Sequence, residues 1–256
     1  MCVRFGKLWL IAAAVGLFSN CPTLASAKAV YLKTPHFTVS YENLSEEDAR
    51  SFLAAAEEAR STVTAYLGKR FSQPIHIKVG EQYLFPQYSQ KESEIFMPAN
   101  RLRKGTAQPT RSRNRSPLLL MLITPIVAPS TNSIWGEFLE TGLRVFLQEK
   151  FGASEERAFP MLGNDLHKET ARLGADYGRL IPIADVERAR TWRTKMTRTR
   201  RLAYLEAGSF VRFLIEQYSL EKFMSWYDGK RFEEVYGQEI AQMEREWAGY
   251  IRAAQP

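Results

Sequence analysis

Three histidines, one short acidic run and two dense basic tracts are the residues whose types could do chemistry in this chain. His36 and His76 stand in or beside separate alternating segments. A metal would need them to converge from distant parts of the chain, and the ordinary reading for each is a surface or edge-strand position. His167 lies in Asn164-Asp165-Leu166-His167-Lys168-Glu169, the only local cluster of possible ligands, with no recognisable metal motif around it. Glu137 and Glu140 fall in Trp135-Gly136-Glu137-Phe138-Leu139-Glu140-Thr141-Gly142-Leu143. A lone carboxylate there is ordinarily a solvated or capping acid, because catalytic zinc takes about three protein ligands plus water. The chain has no Gly-x-Ser-x-Gly elbow, no cysteine-histidine set outside its first residues and no Gly-rich phosphate loop. Ala207-Gly208-Ser209-Phe210 sits inside a helical pattern, where small residues serve close helix packing.

The first basic tract holds Arg101, Arg103, Lys104, Arg111, Arg113 and Arg115 without an acid. The second runs through Arg188, Arg190, Arg193, Lys195, Arg198, Arg200 and Arg201, interleaved with Trp192 and Met196. The plain reading of the second is an exposed linker kept soluble by charge. The functional one is a site for an anionic envelope polymer or a membrane surface, with Arg193, Lys195, Arg198, Arg200 and Arg201 as the contacts. A net charge of +7 favours anionic partners generally.

Where such a partner would be met follows from the first residues. Arg4 and Lys7 form a positive start, Leu8 to Phe18 an apolar run, and Ala25-Ser26-Ala27 a small-residue ending, the order of a cleavable secretory signal. Cleavage before Lys28 removes both cysteines, Cys2 and Cys21, and leaves a thiol-free chain of net charge +5. An uncleaved anchor is the alternative. Cys21 lacks the small-residue box of a lipoprotein. Export to the periplasm or beyond makes nucleic acid the least fitting anionic partner.

The elements that must position these residues follow from periodicity. His36 to Tyr41 alternates as a half-buried strand does. Ser45 caps a long helix whose apolar positions, Phe52, Leu53, Ala56, Ala59, Val63, Tyr66 and Leu67, run to Gly68. Pro74 to Val79 alternates again. Residues 81–116 read as a long exposed excursion or a hairpin with a mobile tip. Leu118 to Val127 is apolar but interrupted by Pro125. Helical patterns follow from Trp135 to Phe151, Leu202 to Tyr218, Leu220 to Tyr227 and Gln238 to Ala253, with 153–182 irregular. The expectation is an α+β fold in one domain, 28–256. A small mixed sheet with one long helix occupies 28–116 and a mainly helical lobe 117–256.

That order resembles the peptidase-MA-like family of gluzincin metallopeptidases. The likeness runs over most of residues 33–253. It rests on His36-to-Tyr41, Asp48-to-Leu67 and Ile75-to-Val79, then on Ala203-Tyr204-Leu205-Glu206-Ala207-Gly208-Ser209-Phe210, Glu233-Glu234-Val235-Tyr236-Gly237 and Met243-Glu244-Arg245-Glu246-Trp247. It implies a zincin-like fold. Active relatives carry His-Glu-x-x-His on one helix, so that both imidazoles reach one zinc while the glutamate takes a proton from its water. A further glutamate follows in a Trp-x-x-Glu-Gly-Leu-Ala-like run. Here the first stretch reads Leu120-Met121-Leu122-Ile123-Thr124-Pro125-Ile126-Val127, with neither histidine nor acid. The second survives in outline, with Glu140 nearest to the third-ligand place and Thr141 intervening before Gly142.

The resulting expectation is an exported, catalytically inactive relative without metal or cofactor, acting as a binding or scaffold module on a peptide or protein in its former cleft. Two alternatives stand beside it. One is an active hydrolase with a site rebuilt from Glu137, Glu140, His167 and a basic residue, and the other is a basic protein that binds anionic envelope polymer.

Overall fold

The computed structural model describes residues 29–68, 74–84, 87–89, 94–102, 136–152, 165–183 and 191–253, with the backbone alone at 87–88, 101 and 191–199. The expected signal segment, the Leu118-to-Val127 run and most of the first basic tract lie outside these residues.

Five strands make one mixed sheet: β1 (Val30–Lys33), β2 (Phe37–Tyr41), β3 (Ile75–Gly80), β4 (Gln87–Ser89) and β5 (Glu94–Pro98), in the order β1-β2-β3-β5-β4. β2, β3 and β5 run parallel, and the outer strands β1 and β4 are antiparallel to their neighbours. The alternation in sequence becomes two faces. Phe37, Val39, Ile75, Ile77, Ile95 and Met97 are buried on one, while Thr38, Ser40, His76 and Lys78 point to the other.

The buried face is covered by α1 (Glu46–Leu67). Ser45 Oγ accepts from the Asp48 N–H at 3.1 Å, three acids fill the first turn against the helix dipole, and Gly68 ends the helix at φ 63°. Its stripe of Phe52, Leu53, Ala56, Ala59 and Val63 is buried, and its small alanines let the helix lie close to the strands. The ring of Tyr66 at its end meets Phe146 and Phe151.

Those phenylalanines belong to the helical lobe: α2 (Gly136–Phe151), α3 (Leu166–Asp176), α4 (Thr191–Gln217), α5 (Leu220–Tyr227), α6 (Phe232–Tyr236) and α7 (Ile240–Ala253). One apolar core runs from the sheet through α1 into α2, α4 and α7, where Trp247 is fully buried. No described helix is long and apolar enough to cross a membrane.

Mixed α+β architecture is therefore as expected, and two details differ. The 153–182 stretch is not irregular throughout, because Asp165 caps α3 by accepting from the Lys168 N–H at 3.0 Å. The second basic tract is not a linker from residue 191 onward, because α4 begins at Thr191, well before Leu202. Of the two expectations for 81–116, the antiparallel pairing of β4 with β5 matches the hairpin, and β5 sits inside the sheet with Ile95 and Met97 buried.

Candidate functional site

The residues flagged for chemistry gather mainly where α2, α3 and α4 pack. α2 crosses α4 at two glycines. A Cβ on Gly142 would lie 2.5 Å from the Ala207 carbonyl oxygen, and one on Gly208 would lie 2.5 Å from a methyl of Val145. Backbones this close leave no room for a metal-sized site between the helices at that level. Glu140, two residues before Gly142 on α2, is held by Arg144 Nη1 at 3.1 Å, with its side chain 20% exposed. Its charge reaches the buried Tyr227 hydroxyl, whose pKa is driven far above its usual value mainly by burial. Glu137 is exposed on α2, and Thr141 is buried.

At the far end of the same helix Glu149 accepts from the Leu166 N–H at 2.9 Å and from Arg212 Nη1 at 2.8 Å. Arg212 also donates to Asp165 and, through Nε, to Glu216 at 2.8 Å. Burial alone would lower the Arg212 pKa, but these carboxylates raise it, so the guanidinium stays charged. Thus α2, the cap of α3 and the last turns of α4 are tied by one cation among three acids.

His167 belongs to this knot. Its Nδ1 lies 2.8 Å from Ser209 Oγ, which accepts from Trp247 Nε1–H at 2.9 Å, and its ring stands edge-on to Tyr250. Nε2 has no hydrogen-bond partner, and Glu216 Oε2 is 3.8 Å away. Burial, then the nearby Arg212 charge, lowers the His167 pKa to about 4 against the weaker pull of Glu216 and Asp165. The imidazole is neutral at physiological pH. Ser209 and His167 are thus a hydroxyl–imidazole pair at bonding distance, but Ser209 is 0% exposed and His167 3%, so no substrate reaches either. Their work is structural, satisfying each other inside a helix contact.

The other two histidines go elsewhere. His36 Nδ1 is 2.7 Å from Glu57 Oε2, which as a carboxylate can only accept, so Nδ1 carries the proton. Burial pushes the Glu57 pKa up, but hydrogen bonds from Thr34 and His36 outweigh it and hold the group below its ordinary value. His76 is exposed on the sheet face opposite α1. Among the described residues no three His, Cys, Asp or Glu side chains converge to hold a metal ion. Glu140 and His167 are not brought together. Glu149 is the α2 acid that bonds the start of α3, and Glu140 precedes it by roughly 13 Å of helix.

Of the basic candidates, Arg193, Lys195 and Arg198 lie on the backbone of the first turns of α4. Arg200 is exposed, its guanidinium 5.7 Å from the Tyr204 ring. Arg201 is ion-paired to Glu169, a 5%-exposed acid that Arg172 also grips. Arg201 therefore anchors α4 to α3.

Two features escaped sequence reasoning. Glu206 on α4 and Glu244 on α7 each accept one backbone N–H of the strap after α3, from Ile181 and Ile183, both at 2.8 Å. Glu206 is 1% exposed, and burial, then the charge of Glu244, drives its pKa well above the carboxylate range despite the Ile181 hydrogen bond. The second is an open groove of about 720 Å³ between the end of α1 and α5, walled by Tyr66, Leu67 and Met224 with Glu221, Asp228 and Lys230 at its rim. A buried glutamate at helical spacing looks like a surface one until its neighbours are known, and a groove between distant segments leaves no local trace.

No protein-family model matches the chain, and no curated protein matches it.

Proposed function

We propose that this chain is a catalytically inactive, metallopeptidase-like binding or scaffold module of the cell envelope. The observation that carries the reading is the composition of Leu120 to Val127, the stretch that falls where the resembling gluzincins carry their first zinc-binding helix, which contains no histidine and no acid. The geometry of α2 supports it. Gly142 is the glycine pressed against α4, and the residue before it, where the resembling family places its third ligand, is Thr141 rather than a glutamate. Glu140, one residue earlier, is engaged by Arg144. Neither side chain stands ready to complete a zinc site.

The role left to such a fold is binding. The groove between α1 and α5 has the size of a ligand pocket, with apolar walls and charged groups at the rim, and suits an extended peptide segment. The alternative of a rebuilt hydrolase requires Glu140 and His167 to act together. The test is turnover of a casein-derived peptide mixture by the purified protein and by Glu140→Ala. The proposal expects no cleavage by either, while chelator-sensitive cleavage lost in Glu140→Ala would overturn it.

A further inference from the structure

The outer edge of the sheet carries features that the reading above does not use. β1 ends the strand order on one side, and among the described residues nothing pairs with its outer edge. The Thr34 N–H donates to the Phe37 carbonyl at 2.9 Å, so Thr34 and Phe37 face each other as a hydrogen-bonded pair. Such pairs alternate with non-bonded ones along an antiparallel ladder. Leu32 and Val30 therefore turn their N–H and C=O groups towards β2, while Tyr31 and Lys33 turn theirs outward. Edge strands are commonly guarded by proline, a bulge or several charges. Val30–Lys33 has no proline and an unbroken register, and Lys33 is its one charge. Its side chains are apolar on both faces: Tyr31, beside Ser40, is 69% exposed, and Val30, on the side of α1, is 47% exposed. α1 does not overhang this edge, and a further strand has room beside β1.

The spacing of these residues suits one partner. An antiparallel neighbour bonds to β1 by setting its own outward-turned residues opposite Tyr31 and Lys33. A second β1, related by a two-fold axis through Leu32, does this at both places, with Tyr31 opposite the partner's Lys33 and Lys33 opposite the partner's Tyr31. Each of these residues then donates one main-chain hydrogen bond and accepts one. The same register brings the Lys33 ammonium within cation–π reach of the partner's Tyr31 ring on the open face, and Leu32 against the partner's Leu32 on the face of α1. A ring left uncovered in the single chain gains a partner, and the one charge of the edge becomes a contact instead of a guard. A foreign peptide would need the same alternation of aromatic and basic residues, which β1 already holds.

We propose that two copies of this chain associate by antiparallel pairing of β1 with β1, joining their sheets across a two-fold axis at Leu32. The contact is short, so the dimer is weak and forms only at high concentration. The proposal stands on the geometry of the edge and does not rest on the metallopeptidase likeness.

Sedimentation velocity from about 1 µM to about 500 µM protein tests for the dimer, and thiol cross-linking tests its register. The cross-linking uses the full chain with Cys2→Ser and Cys21→Ser, so that an introduced cysteine is the only thiol. Leu32→Cys sets two thiols across a non-hydrogen-bonded pair whose Cα atoms are about 4.5 Å apart, within disulfide range. In Tyr31→Cys the two Cα atoms are roughly 9 Å apart, beyond that range. The expected result is a concentration-dependent dimer, with Leu32→Cys oxidising to a covalent dimer at least about ten-fold faster than Tyr31→Cys. Tyr31→Pro removes only an outward N–H from the strand, so it should keep a melting temperature close to that of the wild type and abolish the dimer. Lys33→Glu should weaken association about five-fold. If Tyr31→Pro unfolds, Lys33→Glu and the two cysteine variants decide. A wild type that stays monomeric over the whole range would overturn the proposal, as would equal cross-linking of the two cysteine variants, or a folded Tyr31→Pro or Lys33→Glu that dimerises like the wild type.

Discussion

Protonating His167 would place a second cation beside Arg212 inside the contact of α3 with α4, and burial already holds its pKa down at about 4. The folded value lies below the unfolded value of about 6.5, so the unfolded chain takes up the proton first as pH falls. The stability tied to neutral His167 is complete above pH 6.5 and declines as pH drops towards 4, by at most about 3 kcal/mol. Thermal melts between pH 7.5 and 4.5 should show the decline, and His167→Gln, which can still bond Ser209, should flatten it. Glu206 has the opposite sign. Its folded pKa is raised, so stability is greatest below the ordinary carboxylate value and is lost as pH rises above it. Glu206→Gln keeps an acceptor for the Ile181 N–H without the proton. Its melting temperature should gain on the wild type steadily from pH 5 to 8, and a variant less stable than wild type at pH 8 would contradict this assignment. His167 was visible in the sequence as the one local ligand cluster, but its partners were not. Ser209, Arg212 and Glu216 come from a helix some forty residues on, and whether an imidazole is a ligand or a buried brace depends on them.

Helix packing turns on small residues at two points. Gly142→Ala would drive a methyl into the Ala207 carbonyl and Val211, and overpacking of this kind costs about 1–3 kcal/mol. Gly249→Ala on α7 meets nothing within 4 Å and should instead stabilise by about 0.5–1 kcal/mol through helix propensity. Chemical denaturation of the two variants separates the effects, and equal behaviour would contradict the crossing. Arg212→Met would strand Glu149 and its fellow acids at the α2–α3–α4 junction, at a cost of about 3 kcal/mol in the same assay. The long elements were legible because their patterns are regular: Ser45 and Gly68 bound α1 as their types require. α3 was hidden because its buried face includes His167, Glu169 and Thr170, polar residues satisfied by α4, which break the apolar period. The early start of α4 was hidden by its basic run, which reads as linker although nothing in it breaks a helix.

For the whole molecule, composition and element order carried the α+β architecture, and the sheet order did not follow from either. β1 and β4 are short, and β5 pairs with both β3 and β4, a choice with little local signature. The proposed loss of the site was legible only as a deficit, the stretch from Leu120 to Val127 without histidine or acid. Expression of the full chain in a host with an intact secretory pathway, followed by N-terminal sequencing of the released protein, should give Lys28 as the first residue. A retained Met1 would contradict cleavage before Lys28. The central proposal, that the chain lacks the zinc chemistry of the family its sequence resembles, is tested most directly by elemental mass spectrometry of the protein purified without a histidine tag. The account predicts near-zero zinc per chain, and one tightly held metal ion per chain would contradict it.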